Sequence, residues 1–282
     1  MPAAGLPLDV MAAVLGGAFL HAGWNVVLKA GSDKHLETAL LLAGGVVLAL
    51  VLLPFLRHPA LACYPALAFS AVLHVAYFFL LMKAYQTGEM AVLYPLMRGL
   101  PPLMLALLGV FFGEALAPAR WLGVALISLG VLSLALARAH APHGPARLFA
   151  LLNIAVIALY TLNDGIGARL SGAPFAYTLA MFLATGVLFL AGTAFWRGRQ
   201  LALLPPRRFA IGLAAAASSI GSYGLALWAM TQAPIAAIAA LRETAILFGM
   251  VLARLVIGER LGPARLMAGA LILGGAIILR LF

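Results

Sequence analysis

Tyr94-Pro95-Leu96-Met97-Arg98-Gly99-Leu100-Pro101-Pro102 lies inside an apolar run from about Met90 to Gly113. A run of about two dozen such residues is long enough to cross a bilayer. An arginine inside it costs about 2.5–3.5 kcal/mol to insert, so Arg98 must face protein or water. Pro101 and Pro102 lack N–H groups and clash with the carbonyls of Met97 and Arg98, four residues back. The stretch predicts a broken helix that sets a cation near mid-membrane. Such helices are tolerated where they line a cavity or pack inside protein.

The second half of the chain answers this stretch. Sliding the sequence by 145 residues sets Gly113-Glu114 on Gly258-Glu259, Pro118-Ala119-Arg120 on Pro263-Ala264-Arg265, and Gly130 on Gly275. The same shift sets Arg98 on Glu243. Two repeats thus carry intramembrane charges of opposite sign at equivalent positions, which makes Arg98 and Glu243 the first candidates for a central site.

Composition places the chain in a bilayer. It has 282 residues, 65% hydrophobic and 9% charged, with a mean hydropathy of +1.10. Soluble domains carry about 25% charged residues, so this reads as a polytopic membrane protein. The net charge of +10 comes from basic residues that stand singly between apolar runs. These are loop and interface anchors, and no nucleic-acid patch is expected. The single cysteine, Cys63, excludes an intramolecular disulfide and a cysteine-based metal cluster. Residues 1–9 hold no Lys or Arg, so no signal-peptide n-region is expected there.

Ten spans are predicted, at 9–29, 36–56, 65–86, 90–113, 118–138, 147–168, 174–196, 208–231, 234–257 and 262–282. Turn signals such as Gly31-Ser32-Asp33, His58-Pro59 and Pro205-Pro206 separate them. The longest connection, Ala139 to Ala146, divides five spans from five. An odd number of spans per repeat makes the second repeat enter from the opposite face. The expected fold is therefore all-α, with ten transmembrane helices as two inverted five-helix repeats, residues 1–140 and 147–282. Basic residues number four on the side of the termini (Arg57, Arg120, Arg169, Arg280) against twelve on the other. By the positive-inside rule, both termini are expected outside the cytoplasm.

Polar residues inside the spans supply further candidates. His21, Asn25 and Lys29 recur every four residues and share a face of span 1, with Trp24 beside them. His21 and Asn25 fit a cavity wall or helix-helix hydrogen bonding equally well, and Lys29 fits an interfacial anchor. His74 and Tyr77 share a face of span 3. Asn163 takes the place of Asn25 in the second repeat; Asp164 fits a proton or cation site, but its place close to its span's end favours an interfacial position. In span 8, Ser218, Ser219 and Ser222 read as close-packing residues, and Tyr223 as part of an aromatic wall. Arg242 and Glu243 are neighbours about 100° apart on a helix, so at most one meets Arg98 directly. The Gly-Glu pairs at 113–114 and 258–259 read as structural turns.

A Gly-Glu followed by a proline-opened last span, twice in a ten-span inverted repeat, resembles the drug/metabolite transporter superfamily, and within it the EamA-like permeases. The resemblance covers essentially the whole chain, and the repeat plan carries more of it than any residue. The opening His21-Ala22-Gly23-Trp24-Asn25 also looks like a bacterial EamA subgroup. Such proteins are similar to small four-helix multidrug exporters doubled into one chain. The resemblance implies export of amino acids, metabolites or drugs, and relatives drawn with both termini cytoplasmic, against the charge count here. The span-1 glutamate of the small exporters is absent, and His21 and Asn25 occupy that region.

The function expected is secondary transport of a small polar or amphoteric metabolite, such as an amino acid or an aminophosphonate, across a bacterial inner membrane. Arg98 would take a carboxylate or phosphonate bidentately. Glu243 would pair an arginine in the empty state or receive a substrate amine. His21, Asn25 and His74 would be polar contacts, and Trp24, Tyr77, Tyr94 and Tyr223 the walls. The expected partners are the substrate, the lipid bilayer and protons as coupling ion, with a monomer as the working unit and no cofactor. No ATP-binding motif is present, so a gradient would drive transport. The competing classes are an intramembrane enzyme, for which no HExxH, GxSxG or phosphate loop is found, and a non-transporting receptor or scaffold.

Overall fold

The computed structural model describes residues 5–30, 33–114, 116–136, 144–202, 206–256 and 262–282. Every regular element among them is helical: α1 (Leu8–Ala30), α2 (Lys34–Leu52), α3 (Tyr64–Thr87), α4 (Met90–Phe111), α5 (Pro118–Leu136), α6 (Gly144–Ser171), α7 (Pro174–Ala202), α8 (Pro206–Gln232), α9 (Ile235–Arg242), α10 (Ala245–Val256) and α11 (Pro263–Leu281). Two short 3-10 turns, Leu53–Phe55 and Leu61–Cys63, lead from α2 into α3. Prolines 118, 174, 206 and 263 each open a helix, where the missing N–H leaves no bond unmade. Asp33 caps α2, its Oδ1 accepting the N–H groups of His35 at 3.0 Å and Leu36 at 3.2 Å. The predicted Gly31-Ser32 turn, residues 139–143 of the central connection, Pro205 and the Gly258-Glu259 pair lie outside the described residues. So do Arg138, Arg260 and the side chains of Lys29, Lys34, Arg197 and Arg199, which enter the charge count.

Nine stretches among the described residues are long and apolar enough to cross a membrane, α9 and α10 together supplying one. The helix α1, with 23 residues, is about 35 Å long and reaches as far. Large apolar side chains stand on the surface: Phe55, Phe111 and Phe195 are 83–85% exposed, as lipid-facing side chains are. The chain is an all-α, multi-pass membrane protein.

Two local expectations are corrected. Despite Pro95, Pro101 and Pro102, α4 runs unbroken from Met90 to Phe111. All three prolines are buried against neighbouring helices, and that packing holds the turns that have lost a backbone bond. The break occurs instead in the predicted ninth span, at Glu243-Thr244 between α9 and α10. There the Glu243 N–H bonds the carbonyl of Ala240 at 2.9 Å and the Thr244 N–H that of Leu241 at 3.0 Å, tightening the turn. The Thr244 hydroxyl donates to the Leu241 carbonyl at 2.7 Å, one of the local bonds that compete with a helical ladder.

The pairings of the helices come in matching sets. α3 packs on α6 and α8 on α1; α4 packs on α6 and α10 on α1; α2 meets α7 and α5 meets α11. The α5–α11 contact is close because it is made at glycines. A Cβ on Gly275 would stand 2.6 Å from the carbonyl oxygen of Gly123, and one on Gly123 3.1 Å from that of Gly275. The first and last described residues, Gly5 and Phe282, lie on one side of the bundle. Gly5 packs against the backbone of Arg280, and Arg120 Nε donates to the carbonyl of Phe282 at 3.2 Å.

Candidate functional site

A cavity of about 500 Å³ lies between α1, α2, α3, α4, α6, α7, α8 and α9. Its mouth is marked by Glu37 at the start of α2, Gln86 at the end of α3 and Met90 at the start of α4. All three positions are on the side opposite the termini. Glu37 pairs with Arg208 there, tying α2 to α8.

The side of the termini is closed by a knot around Arg169, at the last turn of α6. Its Nε donates to the carbonyl of Met230 at 2.8 Å and one terminal nitrogen to that of Ala233 at 3.0 Å; the other is paired with Glu114. The second oxygen of Glu114 accepts the N–H of Ile235, at the start of α9, at 2.7 Å. One carboxylate and one guanidinium thus satisfy backbone groups that two helix ends leave open, and join α4, α6, α8 and α9. Glu114, expected to be part of a structural turn, is a cross-linking residue.

At mid-depth Arg98 Nε donates to Glu243 Oε2 at 3.0 Å, with both side chains largely buried. The turn at Glu243-Thr244 points Glu243 at α4 and leaves Arg242 at the cavity wall, with its guanidinium carbon 4.9 Å from the centre of the Tyr223 ring. Glu243 bonds through Nε, the nitrogen nearest the stem, and Arg98 also lines the cavity.

The other candidates sort as follows. His21, Trp24, Asn25, His74, Tyr77, Tyr94 and Tyr223 are in the wall, and Glu243 is behind Arg98. Asn25 Nδ2 is spent on the carbonyl of His21, one turn back, at 2.8 Å. The Trp24 indole packs edge-on to His21 with ring centres 5.0 Å apart, and its buried N–H has no partner among the described residues. Tyr160 packs against both His74, at 4.3 Å, and Tyr77, at 5.7 Å between ring centres, which completes an aromatic floor. Asn163 is not in the wall: its Nδ2 donates to the carbonyl of Ala66 at 2.7 Å. Ser218 packs α8 on α1 through the carbonyl of Leu20 at 3.0 Å, whereas Ser219 and Ser222 face the cavity.

Sequence reasoning left Arg242 and Tyr160 out of the site. The signal for Arg242 was its neighbour Glu243, but the side it takes depends on the break between α9 and α10. Asp164 is corrected as well. Read as interfacial, it is fully buried, because α6 continues to Ser171 past the predicted end of its span. Among the described residues no group of three or more His, Cys, Asp or Glu side chains is placed to hold a metal ion.

The arrangement offers two guanidiniums and an indole N–H to an anionic or acceptor-rich group, between aromatic faces that suit an apolar or cationic remainder. A crystal structure of a protein matches the chain with a TM-score of 0.73 and 22% identity, over 95% of this chain and 96% of that one. At that identity the likeness concerns the fold. No curated protein matches the sequence. Residues 145–281 match the EamA-like transporter family. That match is consistent with the drug/metabolite transporter superfamily and points to a membrane transporter of its type.

Proposed function

We propose that the protein is a secondary exporter of a small metabolite carrying a carboxylate or phosphonate, an amino acid or aminophosphonate among them. It works as a monomer in a bacterial inner membrane. Two five-helix repeats, residues 1–140 and 147–282, alternate around the central cavity. The observation that carries this reading is a cavity accessible from one side, tied shut on the other, and furnished at its centre with Arg98, Arg242 and the Trp24 N–H. Arg98 and Arg242 receive the anion. An amine on the substrate meets the faces of Tyr77 and Tyr160, since Glu243 is engaged behind Arg98.

Thermal unfolding of the purified protein tests this against amino acids, aminophosphonates, aromatic acids and polyamines. A ligand that binds only the folded state stabilises it by about 2.7 kcal/mol at a hundredfold excess over Kd. Members of the carboxylate or phosphonate classes should raise the melting temperature in proportion to log concentration, and polyamines should not. Stabilisation by polyamines alone would overturn the assignment. A solute that stabilises should then exchange across vesicles that contain the protein.

The charge count supports termini on the periplasmic side, which turns the open mouth to the cytoplasm, where an exporter loads. A phosphatase fused to the C-terminus should be active in cells and a fluorescent protein fused there dark. The reverse pattern would refute this orientation.

A further inference from the structure

One buried cluster is left unused by the substrate reading. Below the cavity floor, towards the closed side, Asp164 is fully buried and both its oxygens are engaged. Tyr177 donates to Oδ1 at 3.0 Å and Tyr223 to Oδ2 at 2.6 Å. His74 Nε2 is 3.9 Å from Oδ2. We propose that His74 and Asp164 together form a proton-binding site, loaded from the cavity through His74 and separate from the arginines that take the substrate anion.

Hydrogen-bond chemistry leads to this. His74 Nδ1 is 3.0 Å from the carbonyl oxygen of Ser70, an atom that can only accept. Nδ1 therefore carries a hydrogen, and in the neutral ring Nε2 is a bare lone pair. Nε2 lies 3.9 Å from Asp164 Oδ2, whose other contact is a donated tyrosine hydroxyl. Two electron-rich atoms this close in a buried site repel, and a proton on His74 Nε2 turns the contact into an ion-pair attraction. The site thus holds one proton on His74 Nε2 opposite the Asp164 carboxylate, taken from water in the cavity and returned to water. No other bond is made or broken.

The groups around it come from every neighbouring helix. Tyr177 faces it from α7, Tyr223 from α8, Ser70 from α3, and Tyr160 and Asn163 from α6 itself. Cys63, in the turn before α3, lies within electrostatic reach of Tyr177, and Arg98 and Glu243 within reach of Tyr160. Arg242 stands over the Tyr223 ring, within electrostatic reach of His74. Tyr223 therefore touches both the proton site, through its hydroxyl, and a cavity arginine, through its ring. This contact is the path by which anion binding at Arg242 can change the hold on the proton. Coupling of the proton to solute movement rests on the transport reading, whereas binding of the proton does not.

The test is nitrogen NMR of the full-length chain in detergent, labelled at its six histidines, across a range of pH. His74→Gln identifies the His74 signals by their loss. In the wild type, Nδ1 should stay protonated throughout, and Nε2 should change in one step as it gains its proton. Asp164→Asn should remove the step from that range. If that variant fails to fold, Tyr223→Phe, which takes one donor from Oδ2, should move the step to another pH. An Nε2 signal that never changes, or a step unmoved by both variants, would overturn the site. Neither result would touch the transport reading.

Discussion

Arg98→Lys should leave the protein folded and abolish both ligand-induced stabilisation and transport. Arg98 does two things at once: its Nε holds Glu243 at 3.0 Å, and its side chain lines the cavity. Lysine keeps a positive charge beside Glu243 but is a compact point charge without the planar fork that grips a carboxylate or phosphonate at two points. The folding contribution should therefore survive and the recognition should not. Arg98→Ala removes both, and by stranding the buried Glu243 should destabilise by about 3–5 kcal/mol. The double change Arg98→Met with Glu243→Gln leaves no buried charge unpaired and should recover the melting temperature without recovering transport. Melting curves with and without ligand, set beside exchange of labelled solute, separate the two contributions. A double variant that transports at the wild-type rate would take Arg98 out of the substrate site and leave Arg242 and Trp24 as its polar contacts.

The all-α membrane fold was legible because it is written in the coarsest features of the chain. Apolar runs of bilayer length set the helices, and prolines and glycines set their ends. The shift of 145 residues that superposes Pro118 on Pro263, the first residues of α5 and α11, also pairs Arg98 with Glu243, and the two meet in space. What was misread depends on packing. Pro101 and Pro102 suggest a break by local sterics, yet neighbours of α4 hold it together. The break falls at Glu243-Thr244, where neither proline nor glycine marks it, and it alone decides that Glu243 turns to Arg98 and Arg242 to the cavity.

The burial of Asp164 follows from one more turn on α6 and from two tyrosines on other helices, which periodicity within one helix cannot reveal. The cross-link between Glu114 and Arg169 joins residues 55 positions apart at the ends of two helices. In sequence each looks like an ordinary charge in a loop, and only the closing of the bundle brings them together.

Arg169→Ala should open the cavity to the side of the termini. A shift of a two-state equilibrium from 1:99 to 99:1 takes about 5.5 kcal/mol, and half of that brings the two states level. Arg169 contributes two charge-assisted bonds to the carbonyls of Met230 and Ala233, besides its pair with Glu114. Bonds of that kind contribute about 1.5–3 kcal/mol each. The Arg169 side chain is 34% exposed, so water screens part of its interaction with Glu114. Even with that discount, the loss is of the size that reverses a closed population. Glu114→Gln should be milder. Its amide oxygen can still accept the Ile235 N–H at the start of α9, and what is lost is the charge that favours both that helix end and Arg169. A cysteine at Ser219, in the cavity wall, with Cys63 changed to serine, reports the outcome. In the parent it should react with a membrane-impermeant thiol reagent added on the mouth side only. After Arg169→Ala it should react from the side of the termini as well, with Glu114→Gln between the two. Unchanged protection from the terminus side in a folded Arg169→Ala protein would mean that the seal is held by the packing of α4, α6, α8 and α9, with the charged knot merely lying over it.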